Sequence, residues 1–136
     1  MSDFKMFMKE NQIRRENQFY PATSSLLDRD GTPVLWEIKA INTAESEEIQ
    51  NECMSFKDNK YDFNYPLFIN KLICACVVNP NLNDKDLQDS YGCFCPEELI
   101  KEMICSPGEY SALADFVQEL CGFGENLDSK IKRAKN

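Results

Sequence analysis

Histidine is absent from the 136 residues. That removes the Ser-His-Asp and Cys-His catalytic groupings and every His-containing zinc site. Long hydrophobic runs are missing as well. The longest, Leu72 to Val78, has seven residues, whereas a membrane helix needs about 20. Met1 to Ile13 carries Lys and Asp and has no apolar core of the kind an export signal needs, so no export segment is expected. Glycine numbers only five, and no glycine-rich phosphate loop is present. Basic charge is scarce: 15 Lys and Arg against 23 Asp and Glu give a net charge of −8. A polyanion is a poor match for a phosphate backbone. The expectation is a soluble protein that stays in the cytoplasm, with no membrane and no nucleic-acid partner.

What is present suits one compact body. The chain weighs 15.7 kDa, with 43% hydrophobic and 11% aromatic residues. A chain of this size buries about two thirds of its unfolded surface and needs no metal or disulfide staple. Seven cysteines are an odd number, and without an export signal they read as free thiols in a reducing compartment.

Charge is unevenly spread. Residues 1–43 carry six acidic and six basic side chains; residues 44–129 carry seventeen acidic and five basic. Lys130, Lys132, Arg133 and Lys135 make the end basic. Cations there suit a helix C-terminus, or form a docking tail.

Residues 2–18 read as a short helix with Phe4, Phe7 and Met8 on one face. This arm either packs on the body or presents its apolar face to a partner. Residues 19–41 read as two strands around the turn Asp28-Arg29-Asp30-Gly31. Val34, Trp36, Ile38 and Ala40 alternate with Leu35, Glu37 and Lys39, so the former face the core. The turn lacks the Gly at six and Glu at twelve of a calcium loop.

Thr43 is the expected cap of a helix whose buried stripe is Ile49, Cys53 and Phe56. Lys57 to Asn64 reads as a polar loop. Tyr65 to Val78 is apolar nearly all round and reads as the central helix, stopped by Asn79-Pro80. Asp84 caps a short helix that ends at Gly92. Pro96 opens another, with Leu99, Ile100, Met103 and Ile104 inward. Ser106-Pro107-Gly108-Glu109 is a capping-box pattern ahead of a helix carrying Tyr110, Leu113, Ala114, Val117, Leu120 and Cys121. Gly122 caps its end. A weaker helix is expected from Asn126 to Ala134 on Leu127 and Ile131.

The fold class is therefore α+β, mostly α-helical: a small N-terminal β-hairpin followed by a compact bundle of about five helices.

Candidate chemistry is thin. Cys74-Ala75-Cys76 and Cys93-Phe94-Cys95 invite a four-thiolate zinc site. The first pair sits in a helix, where residues two apart point about 200° away from each other. Small apolar packing is the better reading. Asp84, Asp86 and Asp89 cluster at one short helix, where capping and a solvated face explain them. No nucleophile context is visible. No catalytic residue, metal ligand or cofactor is expected, and the chain does not read as an enzyme.

Three stretches resemble the PBSX-type (XkdN-like) phage tail assembly chaperone family. Asp28-Arg29-Asp30-Gly31-Thr32-Pro33-Val34-Leu35-Trp36-Glu37-Ile38 is similar to the family's "DEDGxPIxWE". Val77-Val78-Asn79-Pro80-Asn81-Leu82, with Leu87-Gln88-Asp89-Ser90-Tyr91-Gly92, is similar to "VVYPxL…LQDSYG". Pro107-Gly108-Glu109-Tyr110, with Val117-Gln118-Glu119-Leu120-Cys121-Gly122-Phe123, is similar to "PGEY…VQEINGF". Order and spacing match across nearly the whole chain. The sequence departs from the family at Cys74, Cys76, Cys93, Cys95 and Cys121, which favours packing over metal.

The resemblance implies a chaperone of a phage or phage-tail-like bacteriocin. Its implied client is the tape measure protein, kept soluble while tail tube subunits polymerise. It implies work in the host bacterial cytoplasm and absence from the finished particle. It also implies self-association and a contact with the tail tube protein through a frameshifted longer form. The domains expected are an arm over 1–18, a chaperone domain over 19–125 and a basic tail over 126–136. Candidate partner-binding residues are Phe4, Phe7, Met8, Leu127 and Ile131. The rival readings are a tail or baseplate component retained in the particle, and an acidic nucleic-acid mimic.

Overall fold

The computed structural model describes residues 3–124. The expected helix at 126–134, with Leu127 and Ile131, lies outside them. The class is α+β and mostly helical, with five α-helices among the described residues.

A three-stranded antiparallel sheet places β2 (Trp36–Ile38) between β1 (Gln18–Tyr20) and β5 (Val77–Asn79). Strands β1 and β2 pair with Tyr20 opposite Trp36. Trp36 and Ile38 enter the core, as the alternation requires. Val34 is exposed and Ala40 half-buried, because the strand is three residues long rather than seven. The turn between these strands closes on Asp28, whose carboxylate accepts from the Asp30 and Thr32 N–H groups at 2.9 and 3.0 Å.

Helix α1 (Thr43–Glu52) starts one residue earlier than expected. Asn42, not Thr43, is the cap: it accepts from the Glu45 N–H at 2.8 Å, and Glu45 returns a bond to the Asn42 N–H at 3.2 Å. The spacing from Asn42 to Glu45 fits a capping box; Thr43 has no such partner three residues on.

Phe56 does not continue the α1 stripe, and residues 57–64 are not a loop. Strands β3 (Met54–Lys57) and β4 (Lys60–Phe63) form a second hairpin. Asp58 and Asn59 take positive φ values of 52° and 61°. Two such residues between paired strands are the favoured tight hairpin turn, and Asp and Asn tolerate that backbone better than most.

Helix α2 (Tyr65–Cys76) is the central element and packs against α1, α4 and α5. Phe68, Ile69, Leu72, Ile73 and Cys76 are buried. It ends two residues short of expectation. The β-branched pair Val77-Val78 belongs instead to β5 (Val77–Asn79), beside β2. Helices α3 (Lys85–Ser90) and α4 (Pro96–Met103) follow the expected stops, with Leu99 and Ile100 fully buried.

Helix α5 (Pro107–Leu120) closes the core with Leu113 and Val117. Its expected capping box is half formed. The Ser106 hydroxyl oxygen accepts from the Glu109 N–H at 3.4 Å. The Glu109 carboxylate, however, accepts from the Thr23 hydroxyl at 2.7 Å and the Ser24 N–H at 2.8 Å. Those two bonds, with the Ser24 N–H first, hold the Glu109 carboxyl below the usual range. They tie the segment after β1 to the start of α5.

Candidate partner-binding surface

The N-terminal arm is not the helix its periodicity suggested. It forms two short 3₁₀ turns, Phe4–Phe7 and Lys9–Asn11. A helix this short has little intrinsic stability, and no tertiary surface covers its apolar face. Asp3 caps the first turn by accepting from the Lys5 N–H at 3.2 Å. Residues i and i+3 eclipse on a 3₁₀ turn, so Phe4 and Phe7 still share a side.

Of the two placements open to the arm, the structure takes the uncovered one. Phe4 is 75% exposed, Phe7 79% and Met8 45%. Met6 and Ile13, which the sequence reading passed over, are also exposed. The arm is held at its far end. The Arg15 guanidinium donates to the Leu120 carbonyl, and the Asn17 amide to a Glu37 carboxylate oxygen at 2.8 Å. Gly122 makes room for Arg15: with φ of +86°, a Cβ there would stand 3.2 Å from Nη2. Anchored past residue 15 and uncovered before it, the arm is a projection with apolar contents.

Beside the anchor lies an open groove of about 920 Å³, lined by Ile13, Arg15, Ile41, Thr43, Glu47 and Phe123. Its lining is more polar than apolar and carries charges of both signs, unlike the enclosed, mostly apolar pocket that holds a small molecule.

The second hairpin is a further projection. Its register puts Met54, Phe56, Tyr61 and Phe63 on one face, and Ser55, Lys57, Lys60 and Asp62 on the other. All eight are exposed. The Phe56 and Tyr61 rings meet at 4.9 Å, and Phe63 reaches Phe68 of α2 at 5.6 Å. Apart from that root, the apolar face covers only itself. Its alternation was in the sequence, but Phe56 also fitted a helical stripe.

Cys74 and Cys76 turn to different partners. Cys74 Sγ lies 3.6 Å from the Asn70 amide oxygen, whereas Cys76 Sγ lies 3.6 Å from Cys121 Sγ. Burial pushes the Cys74 thiol up to about 12. A thiol kept protonated is a poor metal ligand. The Cys76 contact lowers Cys121, leaving Cys76 the proton holder of that pair. Among the described residues, no three His, Cys, Asp or Glu side chains stand close enough to share an ion.

Known proteins resemble this chain along nearly its whole length. The profile of the family described as "Phage XkdN-like tail assembly chaperone protein, TAC" matches residues 4–135. The chain is similar to the Phage-like element PBSX protein XkdN of Bacillus subtilis (strain 168), at 26% identity over 139 aligned positions, covering 98% of this chain and 94% of that protein. It is similar to the protein YqbN of the same bacterium, at 27% identity, covering 98% and 93%. A crystal structure of YqbN matches with a TM-score of 0.78 over 90% of this chain and 98% of that one. Identity there is 24%, so this last likeness speaks for the fold.

Proposed function

The chain belongs to the XkdN-like phage tail assembly chaperone family, and from that premise we propose that it binds the tape measure protein and keeps it from aggregating while tail tube subunits polymerise. The observation that supports this reading is the arm. Five large apolar side chains between Phe4 and Ile13 are exposed on a segment anchored at Arg15. Apolar surface left in water on a projection marks an interaction site. A long amphipathic client helix has a seam that such side chains cover. The acidic body, with seventeen carboxylates over residues 44–129, lends the complex a charge that opposes aggregation.

In this reading Phe4, Phe7 and Met8 touch the client, and Leu127 and Ile131 extend the contact. The chain works in the host bacterial cytoplasm without cofactor or catalysis and is left out of the finished particle. A longer form, made by frameshifting in the last codons, reaches the tail tube protein. An overlapping open frame in the DNA supports that form; its absence removes it.

Co-expression tests the client. The tape measure protein made alone is expected in the pellet, and with this chain in the supernatant. Phe4→Ser/Phe7→Ser/Met8→Ser is expected to return it to the pellet while the variant itself melts as the parent does. A tape measure protein that aggregates equally with and without the chain overturns the reading.

A further inference from the structure

Cys76 is the last residue of α2, and Cys121 directly follows the last residue of α5. They lie 45 positions apart in the chain, yet their Sγ atoms stand 3.6 Å apart. A disulfide spans about 2.0 Å, so the sulfurs are within a small adjustment of two helix ends from bonding. The two thiols are unequal. Cys76 has no exposed surface, whereas Cys121 is half-buried and lines the open groove beside the arm's anchor. Arg15 lines the same groove. Its guanidinium donates to the Leu120 carbonyl and lies against Gly122, so it touches both chain neighbours of Cys121. The Cys76 contact, a backbone bond from Ile41 and the Arg15 charge favour the Cys121 thiolate, against burial and Glu45. Cys76 is held protonated by its contact with Cys121 and by burial, with Lys39 opposing. An accessible thiolate beside a cation, with a second thiol in contact behind it, is the arrangement of an oxidisable pair.

We propose that Cys76 and Cys121 form an oxidation site, closed to a disulfide by hydrogen peroxide that enters along the groove. The Cys121 thiolate attacks one peroxide oxygen, and the O–O bond breaks. Cys121 becomes a sulfenic acid. The other oxygen leaves as hydroxide and takes up the proton that the Cys121 thiol had released, giving water. Cys76 then attacks the sulfenic sulfur. The S–O bond breaks, the departing hydroxide takes the Cys76 proton, and a second water leaves. The two thiols give up two electrons in all, and one peroxide accepts them. The new bond ties the turn that holds Arg15, and through it the arm, to the end of the central helix. The proposal stands independently of the tape measure reading.

Peroxide treatment of the reduced full chain tests it. Hydrogen peroxide is added to the folded protein in equal amount, the chain is then unfolded, and its free thiols are alkylated. The reduced chain has seven cysteines to label. After peroxide two labels are expected to be lost, and digestion is expected to yield Cys76 and Cys121 in one linked peptide. Dithiothreitol is expected to restore the full label. Cys121→Ala is expected to lose the linkage and to leave Cys76, which solvent does not reach, unoxidised. Cys76→Ala is expected to stop at the sulfenic acid of Cys121, trapped by dimedone. Circular dichroism checks that each variant is folded, and the mapping on the parent needs neither variant. The linked form is expected to unfold at higher urea than the reduced form, because the bond closes a long loop of the unfolded chain. A parent that keeps all seven labels overturns the proposal. So does a linkage that maps to another pair, or a Cys121→Ala variant whose Cys76 is oxidised at the parent's rate.

Discussion

Helix α2 and the hairpin just before it are neighbours in sequence and opposites in use. Both are rich in large apolar residues. In α2 these reach α1, α4 and α5, and Leu72, Ile73 and Cys76 have no exposed surface. In the hairpin, Phe56 is 58% exposed and Tyr61 77%. The difference lies in surroundings rather than composition. An apolar residue stabilises the fold only when neighbours remove it from water. The hairpin and the arm hold apolar residues that the domain's own packing does not require.

Cutting into each region sharpens the contrast. Leu72→Ala is expected to cost about 2–5 kcal/mol, the range for emptying a closed core site, measured as a shift in urea midpoint. Gly122→Ala is expected to cost about 1 kcal/mol or more, since it places a side chain at positive φ against Arg15. It strikes the anchored end of the arm, whereas changes at Phe4 or Phe7 are expected to leave stability unaltered.

Acid divides the molecule in another way. A carboxylate whose folded pKa is lowered stabilises the fold above its unfolded value, about 4.3 for Glu. That stabilisation is lost as pH falls through the lower folded value. Glu109 is such a group, held down by the Ser24 N–H and the Thr23 hydroxyl. Urea midpoints of the parent are therefore expected to drop as pH falls into the acid range. Glu109→Gln is expected to lie lower at neutral pH and to drop less steeply. A small effect belongs to the hairpin. Phe56→Ser is expected to cost less than about 1 kcal/mol, the worth of one cross-strand pair.

Much of the core could be read from the sequence because periodicity there meets burial from all sides. The helix around Leu72, the stripe Leu99-Ile100-Met103 and the caps at Asp84 and Ser106 follow from spacing alone. Legibility failed where two readings share the same residues. Phe56 falls on both a helical stripe and a strand alternation, and the Asp58-Asn59 turn decided it. Val77 and Val78 continue a helical run, yet an open sheet edge beside β2 took them. Phe4, Phe7 and Met8 have helical spacing, but nothing covers them, so the segment settled into 3₁₀ turns. Glu109 fitted a local cap, and a partner 86 residues away won it.

The division between a self-sufficient core and apolar projections proposed as partner contacts is tested most directly by hydrogen exchange. The chain would be compared alone and in its co-purified complex with the tape measure protein. Amides of residues 4–13 are expected to exchange much more slowly in the complex, while those of α2 stay as protected as before. New protection elsewhere, with the arm unchanged, would contradict the assignment of the arm to the client.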